Sequence, residues 1–330
     1  MTECNILFTS VGRRVALIRH FQSTLQAIGL SGNVIGVDIT AEAPAFHVVD
    51  KARTVCRIDD PRYIPALLDI CKKEHVRFLF PLIDTDLLKL SESKAQFADI
   101  GTTAVVSDPE LVAIALDKQK THDFFISRGV GTPHVYSLDD ADSGSLEYPL
   151  FIKPLDGNAS KGTFTIRNPG ELLFFKDYVP RPILQEYLHG MEFTLDVLFD
   201  FRGRVRCVVP RQRLEVRAGE VSKAVIADDP GIVAEGRRVA GLLPGGCGCI
   251  NMQCFLTPDG SIRFVEINPR FGGGFPLSLR AGADFPQWII QMALGNDPGD
   301  VSDAYRKNVY MLRYDDAVFL EGLPSPQGRP

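Results

Sequence analysis

The chain has 330 residues and a formal net charge of -5. That balance gives no overall attraction for nucleic acid or acidic membranes, so neither is an expected partner and any anionic ligand must be met by a local basic cluster. Hydrophobic residues make up 45% and charged residues 23%, ordinary for a globular chain with room for two or three packed units. The 7 cysteines show no CxxC spacing; Cys247 and Cys249 stand two apart, which suits neither a zinc knuckle nor a redox pair. Reduced thiols in a cytoplasmic setting are expected. The N-terminus enters a strand-like run without a signal-peptide pattern, and no apolar stretch nears the roughly 18 residues of a membrane span.

Residues 5–9 read as a short buried strand, Ser10-Val11-Gly12 as a turn, and residues 14–28 as a helix carrying Val15, Leu17, Ile18, Phe21, Leu25 and Ile28 on one face. A strand over 33–38, a helix around 62–74 and a strand over 77–81 follow, and this alternation predicts a parallel α/β sheet. Residues 110–128 read as one helix ending at Gly129, and Leu138 to Glu147 as loop. From 149 the pattern changes to an antiparallel, hairpin-rich region, with strands at 149–153, 163–166, 183–187, 192–200, 204–209, 249–257 and 262–268. Residues 285–294 read as a helix, and the tail after 320 as poorly ordered.

The hairpin at Asp259-Gly260 carries the most chemistry. If these two residues are the turn centre, partner numbers sum to 519: Gln253 sits opposite Glu266 and Asn251 opposite Asn268. Gln253, Glu266 and Asn268 then share one face, an all-oxygen set suited to Mg²⁺ bridging phosphates or, more plainly, to a hydrogen-bonded polar patch. Met252, Cys254, Leu256, Val265 and Ile267 read as core. Arg270 brings a guanidinium beside that face, and Gly272-Gly273-Gly274 would let the backbone approach a ligand, or form a flexible turn. Lys153 ends an apolar strand before the small-residue loop Asp156 to Thr163, whose N–H groups could cradle phosphates; a solvated lysine beside a mobile loop is the alternative. It is no P-loop, since GxxxxGK[ST] is absent.

Taken together these segments resemble the ATP-grasp superfamily, most closely the carbamoyl-phosphate-synthase-like ligases of single-unit size. The ordered series is Leu116-Asp117-Lys118, Gly129, Thr132-Pro133, Phe151-Ile152-Lys153-Pro154, the small-residue loop, Gln185-Glu186-Tyr187-Leu188, Glu192, Asn251-Met252-Gln253 and Glu266-Ile267-Asn268-Pro269-Arg270. The resemblance implies a pre-ATP-grasp Rossmann-like α/β domain over 1–110, a small lobe over 111–185 and a large lobe with its tail over 186–330. It implies ATP as the nucleotide, with Lys118 and Lys153 on its phosphates and Ser160, Lys161 and Gly162 in the phosphate loop. Glu186, Tyr187 and Leu188 would meet adenine, Phe255 would line its pocket, and Glu192 would bind the ribose. Gln253, Glu266 and Asn268 would hold two Mg²⁺ ions, for which Mn²⁺ would substitute, and Arg270 would stabilise an acyl-phosphate. The loop DGNASKGT has fewer glycines than the family's richest examples.

The implied reaction joins a small-molecule carboxylate to an amine, and a homodimer is a candidate assembly. Lys153, Arg211 and Arg270 are the expected catalytic residues. Arg213, Arg217 and Lys223 read equally as solvated charges, Arg13 as a substrate contact or a surface residue, and Asp84 and Asp86 as amine ligands or caps. Two other readings compete. A non-catalytic ATP-binding module would not need Lys153, Glu266, Asn268 and Arg270 together. A nucleotide-dependent dehydrogenase fits the opening strand–Gly–helix and Asp38, but Gly12 is alone and GxGxxG is missing.

Overall fold

A computed structural model describes residues 3–139, 146–156, 161–217 and 219–322. The first stretch alternates strand and helix: β1 (Asn5–Thr9), α1 (Val15–Ala27), β2 (Val34–Asp38), β3 (Lys51–Thr54), α2 (Tyr63–Lys73), β4 (Val76–Pro81), α3 (Leu87–Glu92), α4 (Lys94–Asp99) and β5 (Thr103–Ala104). The strands form a parallel sheet in the order β3-β2-β1-β4-β5. The central strand β1 is buried along its whole length, as a strand covered on both faces requires. Phe8, Phe21 and Phe80 pack on one side of the sheet, Leu7, Leu79 and Tyr63 on the other. Chain direction across the sheet reverses between β1 and β4, so the loops after these two strands open a crevice at their carboxyl ends.

Two helices follow, α5 (Pro109–Leu116) and α6 (Lys118–Ser127), where the sequence pattern predicts one. The break is Asp117: its carboxylate accepts from the N–H groups of Gln119 and Lys120 and starts a new helix. Lys118 is thereby held at a helix start. Leu111, Phe124 and Phe125 from these helices join the core beneath the largest sheet.

The middle of the chain gives β6 (Val135–Tyr136), β7 (Leu150–Pro154), β8 (Phe164–Ile166), α7 (Pro169–Tyr178) and β9 (Pro182–Glu186). Its four strands are antiparallel in the order β6-β9-β7-β8, around a small core of Leu150, Ile152, Ile166, Leu172 and Leu184. The remainder gives β10 (Met191–Phe199), β11 (Val205–Arg217), β12 (Glu220–Ile226), α8 (Pro230–Ala240), β13 (Gly248–Leu256), β14 (Ile262–Asn268), α9 (Pro276–Ala281), α10 (Phe285–Ala293) and β15 (Tyr310–Leu312). Its antiparallel strands run β14-β13-β10-β11-β12-β15. One face of this sheet is apolar, with Phe193, Leu195, Val208, Ile250, Met252 and Cys254 on a single core. The other face carries the polar residues considered below. β11 runs to Arg217, well past the expected end at 209. Pro210 reads as a strand stop, yet it is accommodated opposite Leu195.

The hairpin β13–β14 has a different turn from the one expected. Leu256 pairs with Ile262, and Thr257 N–H donates to Ser261 O at 2.9 Å. The loop is therefore Pro258-Asp259-Gly260, closed by Gly260 N–H on Thr257 O and completed by Gly260 at φ +82°. Partner numbers sum to 518 near the turn. A bulge then inserts Val265, after which Gln253 pairs with Glu266 and Asn251 with Asn268. The expected pairing at the polar face is observed because two irregularities offset each other. The bulge also corrects the expected core: Val265 joins the cleft wall and Phe264 is the buried residue.

Among the described residues no helix is long and apolar enough to cross a membrane. The expected tail beyond 322 and residues 157–160 of the phosphate loop, including Ser160, lie outside the described residues.

Candidate active site

Residues of the two antiparallel sheets and of the segments that follow β1 and β4 line one cleft of about 690 Å³. The six-stranded sheet supplies its floor through register. Glu266 on β14 stands beside Gln253 on β13, which stands beside Thr194 on β10, which stands beside Arg211 on β11. One step along, Asn268, Asn251 and Asp196 form a second row, and Glu192 pairs with Phe255 one step the other way. Alternation puts all of these on the face opposite the apolar core.

The second row is fastened by a buried network. Asp196, fully buried, accepts from Arg211 Nε at 2.6 Å and Nη2 at 2.9 Å, and from Asn251 Nδ2 and Ser278 Oγ. This bidentate pair holds the Arg211 guanidinium flat while its Nη1, also buried, has no hydrogen-bond partner among the described residues. Arg270 donates from Nη2 to Asp84 Oδ2 at 2.6 Å and lies 3.3 Å from Asn268 Oδ1, while its buried Nε has no such partner. Burial opposes the Arg270 charge, but Asp84 and Glu266 hold it more firmly cationic. Asp84 is thus a partner of Arg270 across the crevice. Asp86 is buried and accepts from Thr9 Oγ1 at 2.6 Å and Tyr63 OH at 3.2 Å; burial pushes its carboxyl up to about 6.

Of the three glycines after Phe271, Gly272 and Gly274 are required by space, while Gly273 meets only the ends of flexible side chains. A methyl group on Gly272 would lie 1.9 Å from Asn251 Oδ1, one on Gly273 2.9 Å from Arg14 Nη1, and one on Gly274 2.3 Å from Arg211 Nη1. None of the three has a positive φ. They let the backbone pass close to the side chains of the site.

The four-stranded sheet supplies the opposite wall. Lys153 on β7 is only 8% exposed and lines the cleft. Burial, helped by Lys118, pushes its ammonium down to about 8 against the pull of Glu266. Burial lowers Lys118 too, opposed first by Glu266. Lys161 lines the cleft, whereas Gly162, in the left-handed region at φ +69°, packs on Pro154 outside it. Gln185, Glu186, Tyr187 and Leu188 line the far end with Phe151 and Phe255. Glu186 is tied to the neighbouring strand, its N–H donating to His134 O at 2.9 Å and its Oε2 accepting from His134 N–H. The Leu188 N–H has no hydrogen-bond partner among the described residues. Glu192, raised by burial, pairs with Arg213 at 3.2 Å.

The structure separates the alternatives that the sequence leaves open for other residues. Arg13 is 79% exposed and points toward Glu220 at 3.8 Å, and it is Arg14, the next residue, that lines the cleft. Arg213 also lines it and is largely buried, whereas Arg217 pairs with Asp315 and Lys223 with Glu215 on exposed surface. Asp38 has its carboxylate on the N–H of Gly12 at 2.9 Å, so it fastens the first loop. Thr194, Arg14 and Glu220 were not legible as cleft residues, since each sits among ordinary strand or turn sequence.

Comparison with known proteins places both ends of the chain. The family described as "PylC-like, N-terminal domain" matches residues 6–105, and that described as "ATP-grasp in the biosynthetic pathway with Ter operon" matches 179–314. A D-alanine–D-alanine ligase of Fusobacterium nucleatum is 26% identical over 47% of this chain and 56% of its own. A formate-dependent phosphoribosylglycinamide formyltransferase of Synechococcus elongatus is 24% identical over 76% of this chain and 66% of its own. The chain thus spans about half to two thirds of the length of these curated relatives. The biotin carboxylase domain of Hydrogenobacter thermophilus 2-oxoglutarate carboxylase, solved with MgADP and bicarbonate, superposes with a TM-score of 0.72 at 18% identity, covering 93% of this chain and 73% of that one. A parallel-sheet unit joined to two antiparallel sheets that face each other across a lysine- and arginine-lined cleft, matched by these two family models at either end, gives this chain the ATP-grasp fold.

Proposed function

We propose that this protein is an ATP-dependent carboxylate–amine ligase working through an acyl-phosphate. The observation that carries the reading is the convergence, in one cleft, of Glu266 paired with Gln253 on the floor and buried Lys153 electrostatically coupled to Glu266 from the opposite wall. One carboxylate and two amide oxygens (Glu266, Gln253, Asn268) match the hard oxygen set that Mg²⁺ takes while leaving positions for phosphate oxygens. Among the described residues no three His, Cys, Asp or Glu side chains converge, which fits ions shared with the nucleotide over an all-protein cage. Two Mg²⁺ ions, or Mn²⁺ in their place, would be held there and would neutralise charge on the transferring phosphoryl group.

In this reading Lys118, Lys153 and Lys161 bind the phosphates, with Ser160 and Gly162 in the loop above them. Leu188 N–H and the Glu186 and Tyr187 backbone meet adenine beside Phe255, and Glu192 exchanges Arg213 for the ribose hydroxyls. The substrate carboxylate oxygen attacks the γ-phosphorus, the bond to the β-phosphate oxygen breaks, and ADP leaves. Arg270 Nε and Arg211 Nη1, which have no hydrogen-bond partner among the described residues, would donate to the charge that develops. The amine nitrogen then attacks the acyl carbon, phosphate departs with the bonding pair, and the amine proton passes to solvent.

The division into units over 1–110, 111–185 and 186–330 belongs to the same reading. It is supported by sheets confined to residues 5–104, 135–186 and 191–312, although α5 and α6 pack on the core of the last. All seven cysteines are free thiols, which supports a cytoplasmic setting. A homodimer is proposed only on the likeness to the Hydrogenobacter domain, described as a dimer. The test is ADP release from Mg-ATP with pooled carboxylates, each with and without pooled amines. Release that requires a carboxylate, rises with an amine and disappears in Glu266→Ala is expected; carboxylate-independent release unchanged by Glu266→Ala would refute the reading.

A further inference from the structure

Four arginines line the cleft, and three of them have a carboxylate of their own: Arg211 has Asp196 at 2.6 Å, Arg213 has Glu192 at 3.2 Å and Arg270 has Asp84 at 2.6 Å. Arg14 has no carboxylate within 4.0 Å and no side-chain hydrogen bond among the described residues. The acid that could serve it, Glu220, is engaged by Arg313 at 2.9 Å and by Arg13 at 3.8 Å. Burial and the neighbouring Arg270 lower the pKa of Arg14 to about 10, so it stays cationic at neutral pH. Glu220 and Asp84 attract this charge only from beyond ion-pair distance, and the half-buried side chain lines the cleft. Gly273 has no side chain, and a methyl group at that position would lie 2.9 Å from Arg14 Nη1 and 3.1 Å from Glu220 Oε1. Arg14 also stands where ligands enter an open parallel sheet, at the carboxyl end of β1, next to the switch in strand order.

The acyl-phosphate chemistry proposed above uses Arg211 and Arg270 and leaves Arg14, which lines the same cleft without an ion pair of its own, without a role. We infer that Arg14 determines specificity by binding a second anionic group of the substrate, a carboxylate or a phosphate, distinct from the carboxylate that is activated. This rests on the ligase reading for the identity of the first group. The substrate is then an acid with two anionic ends, and Arg14 fixes the remote end while the reacting end lies between Arg270 and the metal-binding row.

The test measures equilibrium binding to full-length protein loaded with Mg-ADP, so it needs no turnover. Calorimetry compares α,ω-dicarboxylates from succinate to pimelate, and their ω-phosphonate counterparts, with monocarboxylates of the same length. At least one dianion should bind about tenfold or more tighter than its matched monocarboxylate, the preference expected of one charge-assisted contact. The dicarboxylate and phosphonate arms identify which anion Arg14 takes. Arg14→Gln should erase the preference while leaving Mg-ADP affinity unchanged, and Arg14→Lys should retain part of it. A preference that survives in Arg14→Gln, or monocarboxylates that bind as tightly as every dianion, would overturn the inference. The two readings fail separately. ADP release driven equally well by mono- and dicarboxylates leaves the ligase standing without a role for Arg14. An Arg14-dependent preference in a protein that no acid activates leaves the anion site standing without the ligase.

Discussion

Lys153→Met should make the protein harder to unfold at neutral pH while removing its grip on ATP. In the fold the Lys153 ammonium is driven from 10.5 to about 8 by burial, with Lys118 adding to the shift and Glu266 opposing it. That gap of about 2.5 pKa units corresponds to roughly 3 kcal/mol of destabilisation, at 1.36 kcal/mol per unit. The sign follows from the two states. Below pH 8 the lysine is protonated both folded and unfolded, and the whole penalty is present. Between about pH 8 and 10.5 the unfolded chain keeps the proton while the folded chain has released it, so the wild type regains stability as pH rises. Methionine carries no charge and should show no such term. Urea denaturation of both proteins without nucleotide, at pH 7, 8, 9 and 10, reads the difference. The variant should be more stable by about 3 kcal/mol at pH 7, with the gap closing toward pH 10. A variant no more stable than wild type at pH 7, or a gap that ignores pH, would refute the account of Lys153 as a buried charge kept for a ligand.

Three other outcomes follow from the same structure. Asp196→Asn breaks the buried bidentate pair with Arg211 and should cost on the order of 3–5 kcal/mol in a chemical melt, since it leaves a guanidinium uncompensated. Gly274→Ala places a methyl group 2.3 Å from Arg211 Nη1 and 2.7 Å from Val221 Cγ1. It should lower stability by about 1–3 kcal/mol and abolish carboxylate-dependent ADP release at unchanged Mg-ATP affinity. In the native protein a thiol reagent should react promptly with Cys56 alone. The other six cysteines are buried, and burial raises their thiols, Cys4 and Cys247 to about 11 and Cys71, Cys207 and Cys254 to about 12; mass spectrometry of the labelled protein checks the position.

The alternation of strand and helix in the first hundred residues and the hairpins after 149 were legible because each follows one period closely. The helix break at Asp117 was not, since an Asp within an apolar-periodic run looks like a surface position until its side chain is seen on the next N–H groups. β12 and α8 were missed because Glu220–Ile226 has charged residues at its start and Pro230–Ala240 opens on Pro-Gly. At the site, local spacing was enough for Glu266, Gln253 and Asn268, which lie on adjoining strands. It could not decide between Arg13 and Arg14, which differ only in where a turn after β1 aims them. Nor could it show that Asp84 faces Arg270, 186 residues away in sequence.

The paired irregularities of the β13–β14 hairpin uncouple the loop from the polar row of Gln253, Glu266 and Asn268. Cys254 pairs with Phe264 and Gln253 with Glu266, so the pairs on either side of Val265 are already in step and deleting Val265 would remove the bulge while leaving both in place. The loop Pro258-Asp259-Gly260 lies beyond four further paired positions, so its length can change without moving Glu266 from its place opposite Gln253. The pairing on the two sides of the bulge, more than loop length, is what this hairpin must conserve.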